Sequence, residues 1–175
     1  MKKSLDIIRG SRKFLINLLD GISIEKLNEI PTGFNNNLVW NLAHVIANQQ
    51  ILCYLNAGAK PVIEEGFIHK YKTGTRPEGF IDEAQIDVWK KYLFSTMDHF
   101  EKDAATNMFE NYKPFDLRSY PGLRIENISD AIKFVSFHDG LHVGYSMALK
   151  RLLKNNGFGK LSATQESVSV QTGNN

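Results

Sequence analysis

Apolar residues recur three and four apart in four long stretches of this chain, and regular alternation is absent, so the pattern predicts helices and no convincing strand. The first helix runs from about Ser4 to Asp20. Leu5, Ile8, Phe14, Leu15, Leu18 and Leu19 carry its period, with Ser4 placed to cap it and Gly21 to end it in the left-handed conformation. The second starts near Asn35, Asn36 and Asn37, good capping residues, and ends before Gly58. Its apolar face carries Trp40, Ala47, Ile51 and Leu55. Asp82 and Gln85 have capping-box spacing and open a third helix to about Thr106, with a stripe of Ile86, Trp89, Leu93, Met97 and Phe100. Ser129 is placed to cap a fourth that continues to about Asn155.

The connections are uneven. Gly58 to Phe80 holds four glycines and two prolines and reads as a long ordered loop, of the kind that usually serves as a lid or binding loop. It contains Phe67, His69 and Tyr71. Asn107 to Asn127, with Pro114, Pro121 and Gly122, is a second connection. Four helices joined this way predict an all-α domain, a four-helix bundle over residues 1–155. Residues 156–175 are mostly small and polar and read as a flexible tail.

Composition narrows the classes. The chain has 175 residues, 42% of them hydrophobic, which suits one globular domain. Twenty-one basic residues against 19 acidic give +2, too close to neutral for a dedicated nucleic-acid binder. No apolar run is long enough for a membrane span, and Arg9, Arg12 and Lys13 interrupt any signal-peptide core. Cys53 is the single cysteine, so an intramolecular disulfide and a Cys-based zinc cluster are both ruled out, and a reducing cytoplasm is the expected compartment. P-loop and GxGxxG fingerprints are absent, which argues against nucleotide cofactors.

The candidate chemistry lies in the histidines. At ~100° per residue His138 and His142 sit about 40° apart on the fourth helix, in the stripe that holds Ala131, Phe134, Val135, Tyr145, Leu149, Leu152 and Leu153. His44 faces inward among Trp40, Ala47, Ile51 and Leu55. Buried imidazoles need partners, and a divalent metal would satisfy all three at once. Without metal, the three would form a hydrogen-bonded core cluster. Asn37, Asn41 and Asn48 share the side of His44 and are placed to hold a ring nitrogen or a bound water. Cys53, about 180° round the helix from His44, reads as a core residue, and His69 and His99 as loop and surface residues. HxxxH is a metal-binding spacing, but the Glu of a metalloprotease motif is missing.

Trp40-Asn41-Leu42-Ala43-His44, followed later by His138-Asp139-Gly140-Leu141-His142-Val143-Gly144, resembles the DinB/YfiT-like superfamily of small metalloproteins, and the resemblance spans about Ser4 to Leu153. It implies up-down-down-up connectivity and frequent homodimerisation. It implies a divalent metal (zinc, nickel or iron) on three histidines, matched here by His44, His138 and His142. It also implies a small-molecule substrate. Some relatives are transferases that use low-molecular-weight thiols, others resemble metal-dependent hydrolases, and many have no assigned reaction.

Three neutral imidazoles leave a divalent ion its full charge and an open position, the catalytic rather than the structural pattern. Such a centre can activate water or a thiol. Asp139, Asn48 and Tyr145 are the candidates for catalytic work beside it. For Asp139 the competing reading is a salt bridge at the helix border, and for Tyr145 it is core packing. Gly140 and Gly144 fall on the opposite face, where they would admit a neighbouring helix. The rival to an enzyme is a non-catalytic bundle whose metal has a structural, sensing or stress-response role.

Overall fold

Caps and stripes set the architecture, which is predominantly helical. The computed structural model describes residues 1–155, and the expected tail at 156–175 lies outside the described residues. The elements are α1 (Lys2–Leu19), α2 (Ile24–Asn28), α3 (Leu38–Cys53), a 3-10 turn (Leu55–Ala57), α4 (Glu65–Tyr71), α5 (Glu83–Asp103), β1 (Phe115–Asp116), β2 (Arg124–Ile125) and α6 (Ile128–Asn155). The four long helices are α1, α3, α5 and α6. Helix α1 packs on α5 and α6, and α3 packs on the same two, with the buried apolar side chains gathered in two clusters.

The start of α3 fixes where His44 falls. Asn37 Oδ1 accepts the Trp40 backbone N–H at 2.8 Å, while its amide donates to the Asn28 carbonyl at 2.8 Å. One side chain thereby caps α3 and ties it to α2. Asp82 caps α5 by accepting the Gln85 N–H at 2.8 Å, as its spacing implies. Every residue from Asn37 to Gln50 is buried, so α3 is the central element rather than an amphipathic surface helix. That overturns the expectation of one apolar face, and Leu55, assigned to that face, is exposed beyond the end of α3.

Several other expectations need correction. The segment 58–80 is not a plain loop, because it contains α4. Phe67 and Tyr71 pack their rings on Trp89 at centroid distances of 5.5 and 5.1 Å. Such packing supports a helix too short to persist alone. The chain also holds a short antiparallel ladder, Phe115 opposite Ile125 and Asp116 opposite Arg124, too brief to leave an alternating signature. Ser4 lies inside α1, whose cap position is Met1, and Asn127 rather than Ser129 caps α6, accepting the Asp130 N–H at 3.1 Å. In α1 the buried series is Leu5, Ile8, Arg12, Leu15 and Leu19. Phe14 is 46% exposed, and the inward place falls to Arg12. On α6, Leu152 is also exposed, and nothing among the described residues packs against Gly140 or Gly144. None of the described helices is long and apolar enough to cross a membrane.

Candidate metal centre

Helices α3 and α6 pack together and bring His44 against His138 and His142, one turn apart on α6. One ring nitrogen from each lies within 4.8 Å of the other two. His44 Nε2 and His138 Nε2 are 3.3 Å apart. Two ligands on a tetrahedral ion at ~2.05 Å stand about 3.3 Å apart, so this pair already has the spacing of a chelating pair.

The hydrogen bonds set which nitrogen faces the gap. His44 Nδ1–H donates to the Tyr71 carbonyl at 2.6 Å, and His142 Nδ1–H donates to Asn41 Oδ1 at 2.7 Å. Asn41 is itself oriented, because its amide donates to the Asn37 carbonyl at 2.7 Å. Both acceptors are oxygens without a proton, so both rings carry hydrogen on Nδ1 and a lone pair on Nε2. Trp40 stacks on His44 at 4.5 Å with planes 11° apart, and its indole N–H donates to Thr75 Oγ1 at 3.2 Å. The ring of His44 is therefore held from its edge and its face.

These lone pairs test the fit of a cation. Without one, His138 Nε2–H can satisfy His44 alone. The His142 Nε2 lone pair is then left over, while His138 Nδ1 is buried without a protein partner whether or not an ion sits on Nε2. A cation accepts all three lone pairs, so the donor set suits a borderline divalent ion. The cluster offers three imidazoles, with no carboxylate or thiolate among the described residues.

Burial also keeps the imidazoles neutral. It lowers the His44 pKa, against the partial opposition of the Tyr71 contact. It lowers His138 to about 2, helped by the charges that His142, His44 and Arg12 would present, and His142 to about 3, helped by His44. In the unfolded chain each titrates near ~6.5. The stability that rests on neutral rings is therefore fully present above that value and is lost as pH falls towards the folded values. Each ring contributes a slope of up to about 1.4 kcal/mol per pH unit. Urea unfolding of EDTA-treated protein at pH 7, 6 and 5 should show stability dropping steadily. A flat profile would mean that the folded rings protonate freely.

The three histidines open on a cavity of about 560 Å³. Trp40, Asn48, Phe134 and Tyr145 line it, together with loop residues from 73–76 and 117–120. Two of the sequence-derived catalytic candidates, Asn48 and Tyr145, thus share the cavity with the histidines. Tyr145 is half-buried and rests edge-on against Phe34 at 5.4 Å. Asp139 does not line the cavity. Its Oδ2 accepts Arg12 Nε–H at 2.9 Å, and both side chains are almost wholly buried. The salt-bridge reading of Asp139 thus has the right chemistry but the wrong place, in the core rather than at the helix border. His69 and His99 are exposed, with His69 on α4 rather than in a loop, and Cys53 is buried, its thiol pKa pushed far up by that burial.

From sequence Arg12 reads only as a charge that interrupts an apolar stretch, yet it lies buried in the interior. Its Nη1 donates to the Leu93 carbonyl at 2.8 Å and to Thr96 Oγ1 at 3.2 Å, and its Nη2 to the Val45 carbonyl at 3.3 Å. One guanidinium on α1 thereby contacts α3, α5 and α6, next in sequence to His44 and to His138. Burial raises the Asp139 pKa, and the adjacent guanidinium opposes that rise. Since Arg12 keeps its charge, an ionised Asp139 is the state that compensates it. The signal was present in the sequence, because Arg12 continues the three-four spacing between Ile8 and Leu15.

Comparison with known proteins agrees with this geometry. The family model of the DinB superfamily matches residues 8–146, a stretch that includes all three histidines, Arg12, Asn41 and Asp139. No curated protein matches the chain. A match over most of the chain, ending on a helical fold with inward histidines on α3 and α6, shows that the chain belongs to the DinB superfamily.

Proposed function

We propose that this chain is a metal-dependent enzyme acting on a small molecule, with His44, His138 and His142 holding zinc, nickel or iron, and that it transfers a low-molecular-weight thiol. The mutual packing of α1, α3, α5 and α6 supports an up-down-down-up four-helix bundle as its frame. A cavity of about 560 Å³ beside the three ligands suits a small molecule. A divalent ion there would act as a Lewis acid that lowers the pKa of a thiol or water admitted to its open position.

The observation that carries the choice of thiol is the absence of Asp and Glu from the described cavity lining. Ester or amide hydrolysis benefits from a carboxylate that takes a proton from water and returns it to the leaving group. A thiol ionises more readily and needs no such base. Asn48 and Tyr145 then serve as hydrogen-bonding groups for the substrate, and Asp139 acts through Arg12 as a positioning residue. A structural role for the metal is less well supported, since three ligands facing a cavity leave the shell open. The test is a reaction panel on zinc-, nickel- and iron-loaded protein. The expected result is metal-dependent loss of thiol with an electrophilic acceptor, and little hydrolysis of activated esters. Ester hydrolysis without thiol transfer would move the assignment to a hydrolase. Inertness in every reaction with metal bound would favour the non-catalytic role.

A further inference from the structure

Two arginines from separate loops, Arg76 and Arg118, line the same cavity as the three histidines. Both residues are exposed, and neither forms an ion pair among the described residues. Of the acids near them in sequence, Glu78 lies outside the described cavity lining, and Asp116 and Glu126 are engaged elsewhere. Arg124 binds Asp116 at 3.1 Å and Glu126 at 3.0 Å. The backbones that carry the two arginines are held. Thr75, next to Arg76, accepts the Trp40 indole N–H and donates to the Lys72 carbonyl at 2.9 Å. Around Arg118, Leu117 N–H donates to the Leu123 carbonyl at 2.9 Å, and Tyr120 N–H to the Leu117 carbonyl at 3.0 Å. Tyr120 also packs edge-on against Phe134 of α6 at 5.5 Å.

Two exposed guanidiniums on held backbones, without carboxylate partners among the described residues and on a cavity whose described lining has no acid, leave a cationic wall for which the fold has no evident need. Like charges facing one cavity repel, and an anion between them would relieve that repulsion. The planar donor fork of arginine matches carboxylate and phosphate oxygens. We propose that Arg76 and Arg118 form an anion-binding subsite at the mouth of this cavity, which takes a carboxylate or phosphate group of the small-molecule substrate. The inference deepens the functional reading above and rests on it for the identity of the cavity as the substrate site. The arginines orient the substrate by its charged group and leave its reactive end towards the histidines.

The experiment has one arm with metal and one without. Mercaptosuccinate and 2-mercaptoethanol are titrated into zinc-loaded wild type and the Arg76→Gln/Arg118→Gln variant. Succinate and inorganic phosphate are titrated into EDTA-treated samples of both. Wild type should bind mercaptosuccinate at least about tenfold more tightly than 2-mercaptoethanol, and the variant should lose that preference while keeping its zinc. In the metal-free arm succinate or phosphate should bind wild type and not the variant, and the better ligand names the group. Equal affinities for the two thiols, or a preference that survives the double substitution, would overturn the subsite. Failure to take up zinc would count against the metal reading alone, and the metal-free arm would then decide. Both arginines are exposed, and an unchanged unfolding midpoint confirms that the variant is folded. If the pair of changes lowers it, Arg76→Gln and Arg118→Gln tested singly each should weaken succinate or phosphate binding, and unchanged binding in both would overturn the proposal.

Discussion

Alanine at His44, His138 and His142 together is expected to abolish stoichiometric metal in protein purified without a nickel column, where the unsubstituted protein should carry close to one ion per chain. The expectation rests on the 3.3 Å Nε2 pair and on the two Nδ1–H groups already committed to oxygen acceptors. Metal that binds only the folded state stabilises it by about 4 kcal/mol at a thousandfold excess over its dissociation constant. Added zinc should therefore raise the unfolding midpoint of the wild type and leave the triple variant unmoved. A graded companion is Asn41→Ala, which removes the acceptor that orients His142. Loss of such an outer partner weakens metal binding by about 10–100-fold. Plasma mass spectrometry and a competitive chelator measure both effects. If wild type and triple variant both lack metal after incubation with zinc, nickel and ferrous iron, the histidines are a hydrogen-bonded core cluster.

The largest effect on folding is expected from Asp139→Ala. It would leave Arg12 charged and almost wholly buried, with only neutral oxygens around it. Breaking a buried pair from one side costs about 3–5 kcal/mol, a large part of the stability of an ordinary domain. Arg12→Met combined with Asp139→Leu should recover most of that loss, because the paired charges are themselves costly to bury. Urea unfolding followed by circular dichroism reads both variants. A loss below about 1 kcal/mol in Asp139→Ala would mean that water reaches the guanidinium and that the pair contributes no more than a surface bridge. Metal affinity should fall with Asp139→Ala as well, since Arg12 joins the backbone of α3 at Val45 to α6 at Asp139, one residue from His44 and His138 of the proposed centre.

What could be read from sequence follows from the range of the forces involved. Helices α3 and α5 were legible because Asn37 and Asp82 act on backbone groups three residues away, and because Ile86, Trp89, Leu93, Met97 and Phe100 repeat on one face. The histidines were legible because a polar ring inside an apolar stripe requires a partner. Asn41 was legible in part, since it shares the side of His44, yet its hydrogen bond goes to His142 across the helix interface. Helix α4 was not legible, because Phe67 and Tyr71 gain their support from Trp89, which belongs to another helix. The role of the Tyr71 carbonyl and the convergence of Arg76 with Arg118 depend on loop paths that no local pattern encodes. Arg12 shows a different failure, in which charge outweighed spacing. Leu5, Ile8, Leu15 and Leu19 mark its position as internal, and only the acid on α6 explains how a guanidinium can lie there.

The stack of Trp40 on His44 has an optical consequence. The chain has two tryptophans, and one of them lies with its ring 4.5 Å from an imidazole of the proposed centre, while Trp89 sits among Phe67 and Tyr71 on α5. An open-shell ion such as nickel or ferrous iron held by that imidazole would drain the excited state of Trp40, and closed-shell zinc would leave it emitting. Tryptophan emission would therefore act as an internal lamp, reporting which of these ions the proposed centre holds.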